Sequence, residues 1–177
     1  MASIYGAVCC VDPRLLATAA NLRYQWADEK SASAYPINLA DAETGPLLGR
    51  YPGDTYDGDL NTPAKGHPWA LCTANFAELY YRVASAILQD ATVLADPVAA
   101  PFFNPLRITE QTEPGEASQI LKAAGDRMLQ ALIRHSDHLA LSEQFDAETG
   151  FEKSVRDLSW SYAAFLSAVR ARARIAS

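Results

Sequence analysis

The sequence predicts an all-α chain in which helices form the scaffold and long loops carry the chemistry. Apolar residues recur at helical spacing in four long segments. No strand pattern of useful length appears between them. The connecting stretches, at about 31–67, 90–115 and 139–153, are rich in Gly, Pro, Asp and Asn. Loops of that length are uncommon in compact domains and are usually functional when ordered. Four helices joined in this way do not suit a tight bundle, whose connections are short.

The first helix opens at Asp12-Pro13, an N-cap residue followed by proline at the first helical position. Leu15, Ala19, Leu22 and Trp26 keep its period to about residue 29. The second opens at Pro68-Trp69 and runs to about Gln89, with Cys72, Phe76, Leu79, Tyr80, Val83 and Ile87 as a wide apolar stripe. The third spans about Glu116 to His138, with Leu121, Ala124, Met128 and Leu132 on one face. The fourth is expected to open at Ser154, because Asp157 follows three residues on in a loose capping-box pattern. Its expected buried face is Leu158, Tyr162, Phe165, Leu166 and Val169. Arg170, Arg172 and Arg174 near its end suit the negative pole of the helix dipole and need no binding role.

Composition narrows the function class. The chain has 177 residues, 49% hydrophobic and 20% charged, ordinary for one globular unit. A net charge of -6 without a basic block argues against a nucleic-acid partner. No apolar run approaches the roughly 18 residues that a membrane span needs. Met1-Ala2-Ser3-Ile4-Tyr5-Gly6 has neither a basic n-region nor a long apolar h-region, so it does not read as a signal peptide. Cys9, Cys10 and Cys72 are too few and too unevenly spaced for a disulfide framework or a zinc site, and read as small buried apolar residues. His135 and His138 sit three apart without a third ligand, so no metal site is expected.

Three stretches stand out: Gly49-Arg50-Tyr51-Pro52-Gly53-Asp54-Thr55-Tyr56, then Leu141-Ser142-Glu143-Gln144-Phe145-Asp146, then Ser154-Val155-Arg156-Asp157-Leu158-Ser159-Trp160-Ser161-Tyr162. Taken singly, each has a bland reading. A loop glutamate such as Glu143 is usually a solvated charge. Arg50 and Asp54 make a surface ion pair worth about 0–1 kcal/mol. Trp69 and Trp160 are spaced as core residues. The chemical types nevertheless suit a polyol. Arginine presents a planar fork of donors, aspartate accepts from hydroxyls, and aromatic rings cover the apolar face of a sugar.

In that order and spacing, the three motifs resemble the second half of the catalytic domain of glucoamylases, glycoside hydrolase family fifteen. Further matches are Gly66-His67-Pro68-Trp69-Ala70-Leu71-Cys72-Thr73, Ala77-Glu78-Leu79-Tyr80-Tyr81 and Pro101-Phe102-Phe103, so the resemblance covers nearly the whole chain. It implies a partial (α/α)6 barrel, with residues 1–177 as the C-terminal portion of the catalytic domain and the N-terminal half absent. It implies an inverting glucan 1,4-alpha-glucosidase that releases beta-D-glucose from the non-reducing ends of starch and malto-oligosaccharides. Two carboxyl groups do that work, one as acid and one as base, and neither a metal nor an organic cofactor is required.

The resemblance assigns the base to Glu143 and substrate contacts to Arg50, Tyr51, Asp54, Trp69 and Trp160. It places Ser154 as a donor to the base carboxylate, which favours the ionised form. The general acid falls in the half not seen here, which leaves an inactive remnant or a sugar-binding fragment as the alternative reading. Several positions depart from the family pattern. Phe145 replaces tyrosine, Gly53 replaces glutamate, His67 replaces asparagine, and His138-Leu139-Ala140-Leu141 stands where a glycine usually precedes the base loop. The backbone of that loop is therefore expected to follow a different path, and no ligand or catalytic role is expected of His67. The family is mostly secreted, and an oxidising compartment leaves one disulfide from Cys9 or Cys10 open. Helix faces made for missing partners are expected to stay exposed, so that the chain self-associates or meets the missing half.

Overall fold

A computed structural model of the chain describes residues 3–41, 43–59 and 66–175. Met1 and Ala2 of the opening segment and residues 60–65 of the first long loop lie outside the described residues. The chain is mostly helical. α1 spans Pro13–Ala27, α2 Pro36–Ala40, α3 Ala70–Ile87, α4 Ala100–Phe103, α5 Pro114–His135 and α6 Ser159–Ala173. Short 3-10 turns at Thr92–Ala95 and Asn104–Leu106 flank α4. Among the described residues no helix is long and apolar enough to cross a membrane.

The start of α1 follows from its cap. The Asp12 carboxylate accepts from the Arg14 and Leu15 N–H groups at 2.9 and 3.4 Å, ahead of Pro13 at the first helical position. Leu16, Ala19 and Trp26 are the residues it buries. α3 is the central helix, with Phe76, Leu79, Tyr80, Val83 and Ile87 all buried, and it packs against both α5 and α6. Leu121, Ala124, Met128 and Leu132 of α5 are buried as their spacing predicts. Gly125 allows the close approach of α5 to α3, since a Cβ there would stand 2.6 Å from the Tyr81 ring. One residue on, Asp126 accepts from Tyr81 Oη at 2.7 Å and from the Arg172 fork at 2.6 and 2.9 Å. That cluster ties α3, α5 and α6 together.

The fourth long helix differs from its expectation in two ways. It starts at Ser159, not at Ser154. Ser154 and Asp157 have φ of 64° and 52°, a left-handed backbone that cannot begin a right-handed helix, so neither residue caps it. Its buried residues are Ser161, Ala164, Ala168 and Ala171, while Leu166 and Val169 are exposed. Small side chains let α6 approach α3 closely, and of the expected face Tyr162 and Phe165 are partly buried against the core while Leu166 and Val169 face outward.

The long loops are ordered by specific hydrogen bonds. Asn38 donates to Trp26 O and Leu47 O at 2.8 and 2.9 Å and accepts from the Leu47 N–H at 2.8 Å, which pins the loop after α1. A two-residue antiparallel ladder pairs β1 (Gln144–Phe145) with β2 (Glu152–Lys153), too short to leave an alternating pattern in the sequence. The cysteines also depart from expectation. Cys9 is exposed, Cys10 and Cys72 are half-buried, and all three are free thiols.

Candidate active site

The N-terminus of α3 is the anchor on which the motif loops converge. Trp69 N–H donates to Leu48 O at 2.9 Å, and the Leu48 N–H donates to Thr73 Oγ1 at 2.9 Å. Those two bonds hold the backbone that leads into Gly49-Arg50. On the other side, the Ala70 N–H donates to Glu143 O at 3.2 Å and the Phe145 N–H to Pro68 O at 2.9 Å. The residues around Trp69 thus form a short rail with one motif loop on each flank. The third motif joins through Val155, whose carbonyl accepts from the Glu143 N–H at 2.8 Å.

This wiring brings Glu143, Ser154 and Tyr56 together. The Glu143 side chain is on a residue only 7% exposed. Ser154 Oγ donates a short hydrogen bond to Glu143 Oε2. Tyr56 Oη approaches the same oxygen at 3.5 Å, the long limit of a hydrogen bond. With both donors on Oε2, the Oε1 lone pairs stay available to a water or a ligand.

Arg50 and Asp54 face each other as a two-pronged pair, Nε to Oδ2 and Nη2 to Oδ1, both at 2.8 Å. Asp54 is buried and also accepts from the Tyr56 N–H at 3.0 Å. Burial pushes its carboxyl up, but the Arg50 fork and the Tyr56 N–H outweigh that and hold it below the usual carboxylate range. The Arg50 guanidinium lies 4.4 Å from the Trp69 ring centre, 5.0 Å from Tyr56 and 5.4 Å from Tyr51, an aromatic cradle for the cation. Trp69 is buried and stands 6.2 Å from Trp160, which is half-exposed. Among the described residues the buried Trp69 Nε1 has no hydrogen-bond partner.

All seven residues singled out from the sequence therefore fall in this region: Glu143 with Ser154, Arg50 with Asp54, and Tyr51, Trp69 and Trp160 as aromatic walls linked through Arg50 and Trp69. A supporting layer was not anticipated. Gln144 donates to Tyr56 O at 3.2 Å and accepts from the Gly58 N–H at 3.0 Å. Asp59 accepts from the Ser154 N–H at 3.2 Å, and Gly58 is pressed against the Ser154 side chain with no room for a Cβ. Lys153 pairs with Asp57 at 3.2 Å and Asp59 at 3.4 Å. Buried His67 sets Nε2 3.3 Å from Asp57 Oδ2 while its Nδ1 accepts from the Ala147 N–H at 3.2 Å, which leaves the ring proton on Nε2. Burial pushes the Asp57 carboxyl up, but the Asp59 N–H, Lys153 and His67 together hold it low. His67 is thus a bridge between two loops. Of these, Tyr56, Gln144 and His67 carried a sequence signal, as members of the quoted motifs.

A family model described as glycosyl hydrolases family 15 matches residues 4–170. The chain belongs to that family. Glucoamylase 1 of Rhizopus oryzae is 33% identical over 171 residues, a match covering 90% of this chain and 27% of the relative. Glucoamylase GLA1 of Saccharomycopsis fibuligera is 30% identical over 169 residues, covering 83% of this chain and 32% of the relative. The solved structure of a glucoamylase from Saccharomycopsis fibuligera superimposes with a TM-score of 0.76 at 25% identity, over 97% of this chain and 38% of that one. The family 15 chain described here thus spans about a quarter to a third of the length of those curated relatives.

Proposed function

We propose that this chain is the base-bearing, C-terminal part of a glucoamylase-type (α/α)6 catalytic domain, acting on the non-reducing ends of starch and malto-oligosaccharides. The observation that carries the proposal is Glu143: a nearly buried carboxylate with both hydrogen-bond donors on one oxygen, beside a rigid Arg50–Asp54 pair and three aromatic rings.

In this reading the terminal glucose sits against Trp69 and Trp160, with Tyr51 at the rim. Arg50 donates to its hydroxyls and Asp54 fixes the guanidinium. Glu143 Oε1 takes the proton of a water that attacks the anomeric carbon, and Ser154 keeps Oε2 occupied so that the carboxylate stays oriented. A second carboxyl, on the opposite face and roughly 6.5–9.5 Å away, protonates the departing oxygen; the resemblance places it in the part of the domain outside residues 1–177. Exposed Ile133, Leu139, Leu166 and Val169 support a surface that meets the rest of the domain or another copy of the chain.

The stereochemistry of the product tests the mechanism. Proton NMR of the first glucose released from maltotriose by a polypeptide of family length should show the beta anomer before mutarotation. Alpha-glucose as the first product rules out a single water attack. Maltotriose left intact by that polypeptide supports the inactive-remnant reading instead.

A further inference from the structure

Ser154 takes a φ of 64°, a left-handed backbone that a residue with a side chain adopts only at a cost. Such conformations persist where the surroundings over-determine them, and they gather at functional sites. Ser154 is held from three sides. Its hydroxyl donates to Glu143 Oε2. Its side chain is pressed against Gly58, where a Cβ would stand 2.3 Å from the Ser154 Cβ. Its N–H is shared between the two carboxylate oxygens of Asp59, at 3.2 and 3.3 Å.

Asp59 is itself clamped. Lys153 Nζ bridges Asp59 Oδ2 at 3.4 Å and Asp57 Oδ1 at 3.2 Å. The Lys153 and Asp57 side chains are 15% and 4% exposed, so the inner end of the bridge is screened little by solvent, while Asp59 is its outer end. Buried His67 braces Asp57 from behind. Asp59 acts on Glu143 in two ways of opposite sign. As a bare negative charge it disfavours the ionised form of a neighbouring carboxyl. As the acceptor of the Ser154 N–H it keeps in place the hydroxyl that favours that form.

We propose that Asp59, clamped by Lys153 and Asp57, is a positioning residue that sets the Ser154 hydroxyl on Glu143 Oε2 and so leaves Oε1 free for the attacking water. The part played by the water rests on the reading of Glu143 as the base; the clamp rests on the geometry around Ser154. The other titratable groups near Glu143 are untouched by a change at Asp59. Tyr56 approaches from the first motif loop, with the Arg50–Asp54 pair behind its ring. Glu152 comes from β2 and Arg156 from the turn that follows, while the Asp57–His67–Lys153 cluster keeps its own contacts.

The test is a pH titration of the Glu143 carboxyl carbon by NMR in the purified chain, carbon-13 labelled at its glutamate carboxyls and assigned by the signal lost in Glu143→Gln. Ser154→Ala supplies the reference, an upward shift of the midpoint through loss of the hydroxyl. Asp59→Ala should shift the midpoint upward by about as much, and should add nothing when Ser154→Ala is already present. Asp59→Glu keeps the charge but displaces the acceptor by one methylene, and should also shift it upward. Asp59→Asn keeps an acceptor oxygen in place and should not. A merely structural Asp59 would lower the melting temperature and leave the midpoint alone, and a purely electrostatic one would move it down. A midpoint that stays or falls in Asp59→Ala, or that stays in Asp59→Glu, overturns the proposal, as does the absence of a shift in Ser154→Ala. Because the titration needs no turnover, such a failure leaves the base reading standing. Unchanged kcat for Glu143→Gln in a family-length polypeptide would sink that reading and leave the clamp.

Discussion

Thr73→Val isolates the bond that ties the Arg50 loop to α3. The Thr73 side chain is fully buried, and its hydroxyl accepts from the Leu48 N–H at 2.9 Å while donating to Trp69 O at 3.0 Å. Valine removes both bonds, but the Trp69 carbonyl keeps the Thr73 N–H at 3.1 Å. The stranded group is therefore the Leu48 N–H, on a residue only 2% exposed. An orphaned buried donor costs about 1–3 kcal/mol, and the methyl that replaces the hydroxyl returns less than about 1 kcal/mol. The net loss is about 1–2 kcal/mol, a fall in Tm of roughly 2–8 °C for a chain of this length. Thr73→Ser keeps the bond and loses one methyl, about 1 kcal/mol or less. Calorimetric melts should rank wild type above Thr73→Ser above Thr73→Val. A valine variant as stable as the serine variant refutes the anchoring role, and with it the explanation of how Arg50 is placed.

Other perturbations reach neighbouring parts of the site. In a family-length polypeptide, Gly58→Ala puts a methyl where the Ser154 side chain sits and should lower kcat for maltotriose more than tenfold, while an unchanged kcat contradicts the coupling of Ser154 to Glu143. Leu139→Gly relieves a φ of 70° on an exposed residue, and should stabilise the chain by about 0.5–1 kcal/mol in urea denaturation; a loss of stability contradicts it. Asp54 has a folded-state pKa below its unfolded value, so its contribution to stability is fully present above about pH 4 and is lost as pH falls through the folded value. Asp54→Asn should accordingly be less stable than wild type at neutral pH, with the gap closing in acid. Stability curves that run parallel between about pH 6 and 2 contradict the Arg50 coupling.

The sequence made the helices legible because burial on one side leaves a 3.6-residue period. α3 and α5 show this most clearly, with Leu121, Ala124, Met128 and Leu132 buried as spaced. α6 misled for a physical reason. Its fully buried residues are the small Ser161, Ala164, Ala168 and Ala171, so Leu166 and Val169 mark the wrong side, whereas Tyr162 and Phe165 are partly buried against the core. Ser154 misled because a serine followed three residues later by an acid resembles a cap, whereas its hydroxyl is taken by Glu143. The motif residues were legible from their order and spacing, and the structure gathers all of them. The Asp57–His67–Lys153 cluster left no signal, because it exists only after loops far apart in sequence have met. The lack of the family glycine at His138-Leu139 was legible as a departure, and both residues take positive φ, 54° and 70°, a backbone that glycine adopts without strain.

The central claim is that Glu143 is the base. The most direct test compares initial rates of glucose release from maltotriose by a family-length polypeptide with and without Glu143→Gln. Glutamine keeps the shape and removes the proton acceptor. Loss of general-base catalysis should lower kcat by about 10²–10⁴-fold, with KM little changed because Arg50 and the aromatic walls remain. A kcat within a few-fold of wild type would contradict the assignment and return Glu143 to the ranks of buried structural carboxylates.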